Sequence, residues 1–311
     1  MTQARSPGTP PPDLDRVVAD ACKHVGIQAE RPRLLRHFGN AVYLIEDAGA
    51  VARVGYGQGV AERVRTGVTI AAWLADLGFP ATEPLHLPTE PEDPVVSPID
   101  DVAVTFWRYY PQPRNAPEHD LGTLGRIARD LHSIDTTPPI ALQRYEPLRS
   151  VTQATRDALA VGSPDATGLR WLAHRIDELR EQFNTLDFPL QPGLIHGDLY
   201  VGNLLWQRGS PPVVLGDWDS VRIGPREIDL APTYTATRFG LNTEAVDRFA
   251  DEYGYDLRRW SGYPTLRAMR EVSTLTALVR LAPTSPPSAS ELAYRLKTLQ
   301  RNDTNATWNR Q

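Results

Sequence analysis

The stretch that decides the fold is His196-Gly197-Asp198-Leu199-Tyr200-Val201-Gly202-Asn203, which follows the short apolar run Gly193-Leu194-Ile195. After a strand-like run, a Gly-Asp pair is typical of a turn, because Asp bonds nearby backbone and Gly accepts an unusual φ. Asp198 and Asn203 stand in the spacing D-x-x-x-x-N. In loops with this spacing the Asp accepts a hydroxyl proton and the Asn reaches a metal ion.

A second acid follows the next apolar run. Pro212-Val213-Val214-Leu215 leads to Asp217, and Gly209-Ser210-Pro211-Pro212 has the composition of a turn. We therefore predict a β-hairpin that brings Asn203 and Asp217 to one site. Asp219 has two interpretations, support of a metal ion or a surface acid beside Trp218.

The residues before this region predict an antiparallel sheet with helices. A helix is expected at about 13–25, and a second at 60–77, where apolar residues recur every three or four positions before Gly78-Phe79-Pro80 ends it. Five short runs rich in β-formers are bounded by turn residues. They are Arg33-Leu34-Leu35-Arg36, Ala41-Val42-Tyr43-Leu44-Ile45, Ala50-Val51-Ala52-Arg53-Val54, Val95-Val96 and Val102-Ala103-Val104-Thr105-Phe106-Trp107.

The second half is mainly helical, since its apolar residues recur with a period near that of an α-helix. Helical stripes run over 121–134, 169–186, 275–281 and 292–299, and Pro283-Thr284-Ser285-Pro286-Pro287 separates the last two. The predicted class is α+β. The predicted organisation is a flexible tail at 1–12, a lobe of sheet and helix at 13–109, and a larger helical lobe at 110–311.

Composition excludes several classes of protein. With 41% hydrophobic and 23% charged residues the chain can form packed units, and a net charge of −5 disfavours general nucleic-acid binding. The single cysteine, Cys22, cannot form an intrachain disulfide, which fits a cytoplasmic protein. No apolar run approaches the length of about 18 residues that a membrane span requires.

Three motifs resemble the aminoglycoside phosphotransferase and choline kinase superfamily, which shares the protein-kinase fold. They are His196-Gly197-Asp198 with Asn203, Leu215-Gly216-Asp217-Trp218-Asp219, and Gly224-Pro225-Arg226-Glu227-Ile228-Asp229-Leu230-Ala231. The resemblance implies a bilobal fold and Mg²⁺-dependent transfer of the γ-phosphoryl group of ATP or GTP to a hydroxyl. It implies Asp198 as the base, Asn203 and Asp217 as metal ligands, and Asp229 as a brace of the loop. We interpret His196 as structural support of the same loop.

Nucleotide binding is expected in the lobe at 13–109. Arg53 stands where protein kinases place a phosphate-binding Lys, and Arg grips phosphate with two donors at once. Glu62 is the only carboxylate between Arg53 and Asp76, and it lies early in the predicted helix, so the acidic partner of Arg53 is open. Phe38-Gly39-Asn40 is either a phosphate-covering turn or an ordinary hairpin turn. Trp107 and Tyr109 belong to a segment that fits an adenine-contacting hinge, or packs in the core.

The sequence indicates the acceptor less clearly than it indicates the nucleotide site. From Arg226 to Asp256 there are seven acids and three arginines, a balance that suits either a cationic acceptor or a solvated helical face. Candidate acceptor contacts are Glu227, Asp251 and Trp260. Antibiotic inactivation is one expected role, and choline, sugar or amino-acid kinases share the motifs. A catalytically silent nucleotide-binding module and a metal-dependent hydrolase built on His196 and nearby acids are further alternatives, and the oligomeric state is open.

Overall fold

A computed structural model of the chain describes residues 13–29, 31–38, 40–87, 95–96, 101–113, 115, 119–163 and 165–309. The expected tail at 1–12 and Gly39 of the expected turn lie outside these ranges. The described residues form a four-stranded antiparallel sheet, two pairs of short strands and numerous helices. The predicted α+β class is therefore confirmed.

Contacts divide the chain into two compact units. The first contains the described residues within Met1–Pro117, with Asp135–Leu142 and Gly202–Val221, and the second contains the rest. The unit boundary after Val201 falls inside the stretch His196 to Asn203. The lobes at 13–109 and 110–311 stay a prediction.

The sheet of the first unit is formed by consecutive strands. These are β1 (Arg33–Phe38), β2 (Asn40–Ile45), β3 (Ala50–Tyr56) and β4 (Val102–Arg108), in the order β1-β2-β3-β4. A bulge between Leu34 and Arg36 shifts the β1–β2 register. Four of the five predicted strands are thus confirmed. The fifth is not: Val96 makes only an isolated bridge to Val104.

One helix precedes this sheet in the chain, and a second connects β3 to β4. Helix α1 (Leu14–His24) starts at Asp13, whose side chain accepts from the Arg16 N–H at 3.3 Å, and its apolar side joins the core under the sheet. Helix α2 (Val60–Asp76) ends as predicted, with Gly78 at φ 79°. Gly relieves the steric cost of that left-handed conformation.

The predicted hairpin is present in the first unit. Strand β6 (Leu204–Trp206) pairs with β7 (Val213–Leu215), and a 3₁₀ turn at Trp218–Ser220 follows. The segment after α2 fixes the hairpin, because the Thr82 N–H donates to the Leu215 carbonyl at 2.8 Å and the Leu215 N–H donates to the Pro80 carbonyl at 2.7 Å.

The second unit is mainly helical, as predicted. Its helices are α3 (Leu121–His132), α4 (Arg149–Ala160), α5 (Ala166–Asn184), α6 (Glu227–Thr235), α7 (Thr243–Tyr253), α8 (Tyr263–Ser273), α9 (Leu275–Leu281) and α10 (Pro286–Gln300). Helix α3 packs closely on α7 at Gly125, where a Cβ atom would lie 2.6 Å from the Phe249 carbonyl oxygen. Strand β5 (Gly193–Ile195) pairs with β8 (Arg222–Gly224).

Several features of this unit differ from the sequence predictions or were absent from them. Helices α4 and α8 and strand β8 were not predicted. Pro286 and Pro287 begin α10 instead of preceding it, because the first turn of a helix has N–H groups without intrahelical partners and tolerates Pro. Among the described residues, no helix is both long and apolar enough to cross a membrane.

Candidate active site

The loop after β5 belongs to the second unit as far as Val201, and hydrogen bonds to its backbone hold its first residues in place. His196 is fully buried, and Gly197 adopts φ 81°, a left-handed conformation that Gly accepts without strain. Asp229, at the start of α6, accepts from the N–H groups of His196 at 2.6 Å and Gly197 at 2.8 Å. The buried Asp229 carboxylate therefore holds the turn that presents Asp198.

Asp229 is itself supported from α3 and α7. His132 Nε2 lies 3.1 Å from Asp229 Oδ2, and His132 Nδ1 lies 2.9 Å from the Tyr253 hydroxyl. This geometry suits the tautomer that donates Nε2–H to the carboxylate and accepts from the Tyr253 hydroxyl. Burial raises the pKa of Tyr253 above its ordinary value, which keeps its hydroxyl proton available for that bond.

Asp198 is half-buried and faces a cation. Arg270 on α8 donates from Nη1 to Asp198 Oδ1 at 3.1 Å, and both side chains keep part of their surface in solvent. A charge-assisted bond of this kind orients a carboxylate. The structure thus supplies a fixed, solvent-accessible acid at the predicted position.

Asn203 and Asp217 meet across the hairpin of the first unit. The Gly216 N–H donates to the Asn203 carbonyl at 2.9 Å, and Asn203 and Asp217 lie just outside the paired ends of β6 and β7. Asp217 adopts φ 67°, an uncommon conformation that Asp tolerates better than most residues. Both residues line the same pocket.

Arg53 projects from β3 into a cluster of acids. Its guanidinium donates to Asp219, from Nη1 to Oδ1 at 3.2 Å, and Nη2 also forms an ion pair with Asp217. With its amide turned by half a rotation, Asn40 accepts from Arg53 Nη2 at 2.6 Å and Nε at 3.2 Å. Burial alone would lower the pKa of Arg53, but the charges of Asp219 and Asp217 outweigh it, so the pKa lies above its ordinary value. Arg53 is therefore a fixed positive charge.

The pocket of the first unit has a volume of about 300 Å³. Its apolar wall includes Val42, Val51 and Leu205, while Arg53 and Asp217 supply charge. Such a combination of apolar walls and few polar groups is typical of small-molecule sites.

The predicted hinge segment lines the same pocket through Trp107 and Tyr109. The Trp107 ring is largely buried and donates from Nε1 to the Thr105 hydroxyl at 2.9 Å. The N–H of Tyr109 donates to the Gly49 carbonyl at 2.9 Å, so that group is committed to the fold and does not project toward a base.

Three further candidate residues, Glu62, Glu227 and Trp260, lie outside the pocket of the first unit and outside the loop that carries Asp198. Glu62 is exposed, and no ion pair of this residue occurs in the described part of the chain. Glu227 has no exposed surface and accepts from the Leu190 N–H at 2.8 Å, which is a bracing position. Trp260 donates to the Asp187 carbonyl at 3.0 Å and packs on Phe188.

The acidic surface of α7 is partly neutralised. Arg258 binds Asp247 at 2.6 Å and Asp256 at 2.9 Å, beside the exposed Asp251. These three acids and Arg258 line one polar pocket of the second unit. The excess of acidic residues between Arg226 and Asp256 therefore does not produce a purely negative surface.

The donor set of the hairpin fits a hard cation. Within the described ranges, no group of three or more His, Cys, Asp or Glu residues is arranged to hold a metal ion. Asn203 and Asp217 offer two oxygen ligands, and Mg²⁺ commonly binds one or two carboxylates and completes its shell with water and phosphate oxygens. The residues present therefore fit Mg²⁺ bound together with a nucleotide.

Three functional contacts were missed at the sequence level, namely those of His132, of Arg270 and of the Arg53–Asp219 pair. His132 carries a weak signal, since it lies eleven residues after Leu121 and is therefore a polar residue beside the apolar side of its helix. Arg270 carries none, because it lies far along the chain from Asp198 on a helix with no motif of its own.

Together, the fold, the loop that carries Asp198 and the pocket lined by Arg53, Asn203 and Asp217 define the class as a phosphotransferase that acts on small molecules. The model of the phosphotransferase enzyme family matches residues 32–269, and the chain belongs to this family. The resemblance drawn from the sequence is confirmed. No curated protein sequence matches the chain.

Solved structures share the fold at low identity. A spectinomycin phosphotransferase in complex with ADP and spectinomycin has a TM-score of 0.62 at 16% identity, with 94% of this chain and 95% of that chain covered. An amicoumacin kinase in complex with AMP-PNP, Ca²⁺ and Ami has a TM-score of 0.71 at 16% identity, with 96% of each chain covered. A microcompartment-associated aminopropanol kinase has a TM-score of 0.66 at 19% identity, with 93% and 98% covered.

Proposed function

We propose that this protein transfers the γ-phosphoryl group of ATP or GTP to a hydroxyl group of a small molecule in a Mg²⁺-dependent reaction. The observation that carries the proposal is the pocket of the first unit, where Arg53, Asn203 and Asp217 lie together. The second unit adds Asp198 on a loop that Asp229 holds in place.

The pocket suits a nucleotide. A flat purine base packs favourably on apolar side chains such as Val42, Val51 and Leu205, which line it. Arg53 provides donors in a fixed fork that matches phosphate oxygens. The likeness to structures that contain ADP and AMP-PNP supports the same assignment.

Asn203 and Asp217 hold the metal ion in this proposal. Their oxygens are the ligand type that Mg²⁺ prefers. When bound, Mg²⁺ supplies charge that stabilises the phosphates as the transferred group departs.

Asp198 acts as the base. It accepts the proton of the acceptor hydroxyl while the hydroxyl oxygen forms a bond to the γ-phosphorus. The bond between that phosphorus and the bridging oxygen breaks, and the nucleoside diphosphate leaves with the electron pair. Arg270 holds the carboxylate in one orientation throughout.

For the acceptor we propose a hydroxyl-bearing antibiotic, with resistance by phosphorylation as the outcome. Two of the structures described above carry the names of antibiotics. A primary metabolite such as choline, a sugar or an amino acid is the second candidate, supported by the likeness to an aminopropanol kinase. Because the donor is an intracellular nucleotide, we place the reaction in the cytoplasm.

Calorimetric titration with ATP and GTP, with and without Mg²⁺, tests the first step. We expect one nucleotide to bind in a Mg²⁺-dependent manner, and Asp198→Asn to bind it equally well but to lose transfer. Asp177→Asn, an exposed acid on α5, is the matched control and should behave as the wild type. Absence of binding by either nucleotide would refute the proposal.

A further inference from the structure

Arg53 is the candidate phosphate ligand of the first unit, and other residues have to maintain its orientation. Its side chain is 10% exposed and carries a full charge, so its direction depends on the acids around it. In protein kinases the equivalent Lys is oriented by a Glu of the helix that follows it. The sequence left the partner of Arg53 open.

Helix α2 supplies no such acid in this protein. Glu62 lies in its first turn and is exposed, and Asp76 is its last residue and is also exposed. The buried face of α2 carries apolar residues and Gly67. Within the described residues, neither acid of α2 forms an ion pair with Arg53.

Asp219 supplies the missing carboxylate from the turn after the hairpin. Its Oδ1 lies 3.2 Å from Arg53 Nη1 and its Oδ2 lies 3.1 Å from Nη2, so the carboxylate and the guanidinium form two parallel contacts. This bidentate geometry fixes direction as well as charge. Asp219 keeps 11% of its side-chain surface exposed, whereas Asp217 keeps 30%.

The two acids therefore differ in position. Asp217 lines the pocket, and Asp219 does not belong to the described lining residues. Both acids contact Arg53, but Asp217 also lines the pocket where a ligand would bind, whereas Asp219 does not.

Gly67 accounts for how the turn can approach α2. A Cβ atom at this position would lie 3.1 Å from the carbonyl carbon and oxygen of Trp218 and 3.3 Å from Asp219 Oδ1. Gly destabilises a helix interior relative to Ala, so its presence needs a reason such as this close approach. Trp218 anchors the turn, because it is fully buried and donates from Nε1 to the Leu215 carbonyl at 3.0 Å.

We infer that Asp219 is the positioning residue of Arg53 and replaces the helix acid, and that Gly67 gives it the necessary space. The carboxylate comes from the hairpin turn and not from α2, and the helix position facing it, Gly67, carries no side chain. Asp217 also pairs with Arg53, but it lines the pocket and is the candidate metal ligand. The inference rests on the proposed nucleotide-binding function.

Nucleotide affinity measured without metal separates this role from metal binding. We expect Asp219→Asn to raise the calorimetric Kd for the nucleotide about tenfold, both in EDTA and in Mg²⁺, because Arg53 loses its direction. Glu62→Gln, which tests the helix acid, and Asp76→Asn, an exposed control on α2, should leave the Kd unchanged. An effect of Asp219→Asn that appears only in Mg²⁺ would overturn the inference and make Asp219 a metal ligand.

Gly67→Ala tests the same coupling from the helix. It leaves every charge in place and pushes on the Asp219 carboxylate, so we expect a weaker but parallel rise in Kd, while Thr66→Ala on the neighbouring position has no effect. Lower thermal stability with unchanged Kd in both Asp219→Asn and Gly67→Ala would show a purely structural role and overturn the inference. If Asp219→Asn does not fold, Gly67→Ala decides alone.

The two proposals fail in different ways. If the wild type binds no nucleotide, the proposed function itself is refuted. If the wild type binds nucleotide and Asp219→Asn binds it equally well, only the role of Asp219 is refuted.

Discussion

Replacing Asp229 by Asn should destabilise the second unit and disorder the loop that carries Asp198. Oδ2 of Asp229 accepts from His196 N–H and lies near His132 Nε2, and Oδ1 accepts from Gly197 N–H. An Asn at this position is best oriented with its Oδ1 toward the His196 N–H and His132 Nε2. Its amide NH₂ then faces the Gly197 N–H. Two donors then face each other without an acceptor.

The magnitude follows from these three contacts. A hydrogen bond to a charged group contributes about 1.5–3 kcal/mol, and one such bond is lost outright. The remaining contacts change from charge-assisted to neutral and lose roughly half their strength. Together we expect Asp229→Asn to lower the free energy of unfolding by about 3–6 kcal/mol.

Urea denaturation followed by circular dichroism measures this loss. Asp177→Asn makes the same chemical change on an exposed surface and should lie within about 0.5 kcal/mol of the wild type. Turnover should fall in Asp229→Asn at temperatures where the variant is still folded. A variant that unfolds with the wild-type free energy and turns over normally would refute the idea that Asp229 braces the loop.

Three further predictions follow from the same contacts. Arg270→Met should reduce kcat roughly 10- to 100-fold with unchanged nucleotide Kd, because Asp198 loses its orientation; steady-state kinetics with unaltered kcat would contradict this. Asp217→Ala should weaken nucleotide binding about tenfold or more in Mg²⁺ and less in EDTA, by calorimetry, because it removes a metal ligand in addition to one partner of Arg53; equal loss in both buffers would contradict it. Burial raises the pKa of Glu227 above its ordinary 4.5, so its neutral form favours folding and that stabilisation is lost as pH rises through the folded-state pKa. Glu227→Gln should therefore gain stability relative to the wild type between about pH 4.5 and neutrality, and a difference independent of pH in urea denaturation would contradict this.

The local parts of the site could be predicted from the sequence. Asp198, Asn203 and Asp217 stand at fixed offsets within one continuous segment, and strand and turn composition alone indicated the hairpin that joins the last two. The bounds of β2, β3 and β4 were close for the same reason, since alternation and turn residues are local signals.

The long-range contacts could not be predicted in this way. Arg270 and Asp198 are far apart in the chain, and neither helix periodicity nor composition indicates which turn of α8 faces the loop. The partner of Arg53 stayed open in the sequence, because Glu62, the only carboxylate between Arg53 and Asp76, lies early in α2. Packing of the hairpin turn on Gly67 supplies Asp219 instead. Strand β8 is only three residues long, and its pairing with β5 depends on tertiary context.

The reaction itself provides the most direct test of this account. Purified wild-type protein with ATP or GTP and Mg²⁺ is incubated with a panel of hydroxyl compounds, namely cationic and nucleoside antibiotics, choline, sugars and amino acids, and products are detected by mass spectrometry. We expect one compound to gain the mass of a single phosphoryl group with the wild type and with Asp177→Asn, and none to gain it with Asp198→Asn. Phosphorylation by Asp198→Asn at the wild-type rate would contradict the central claim that Asp198 is the base of a small-molecule phosphotransferase.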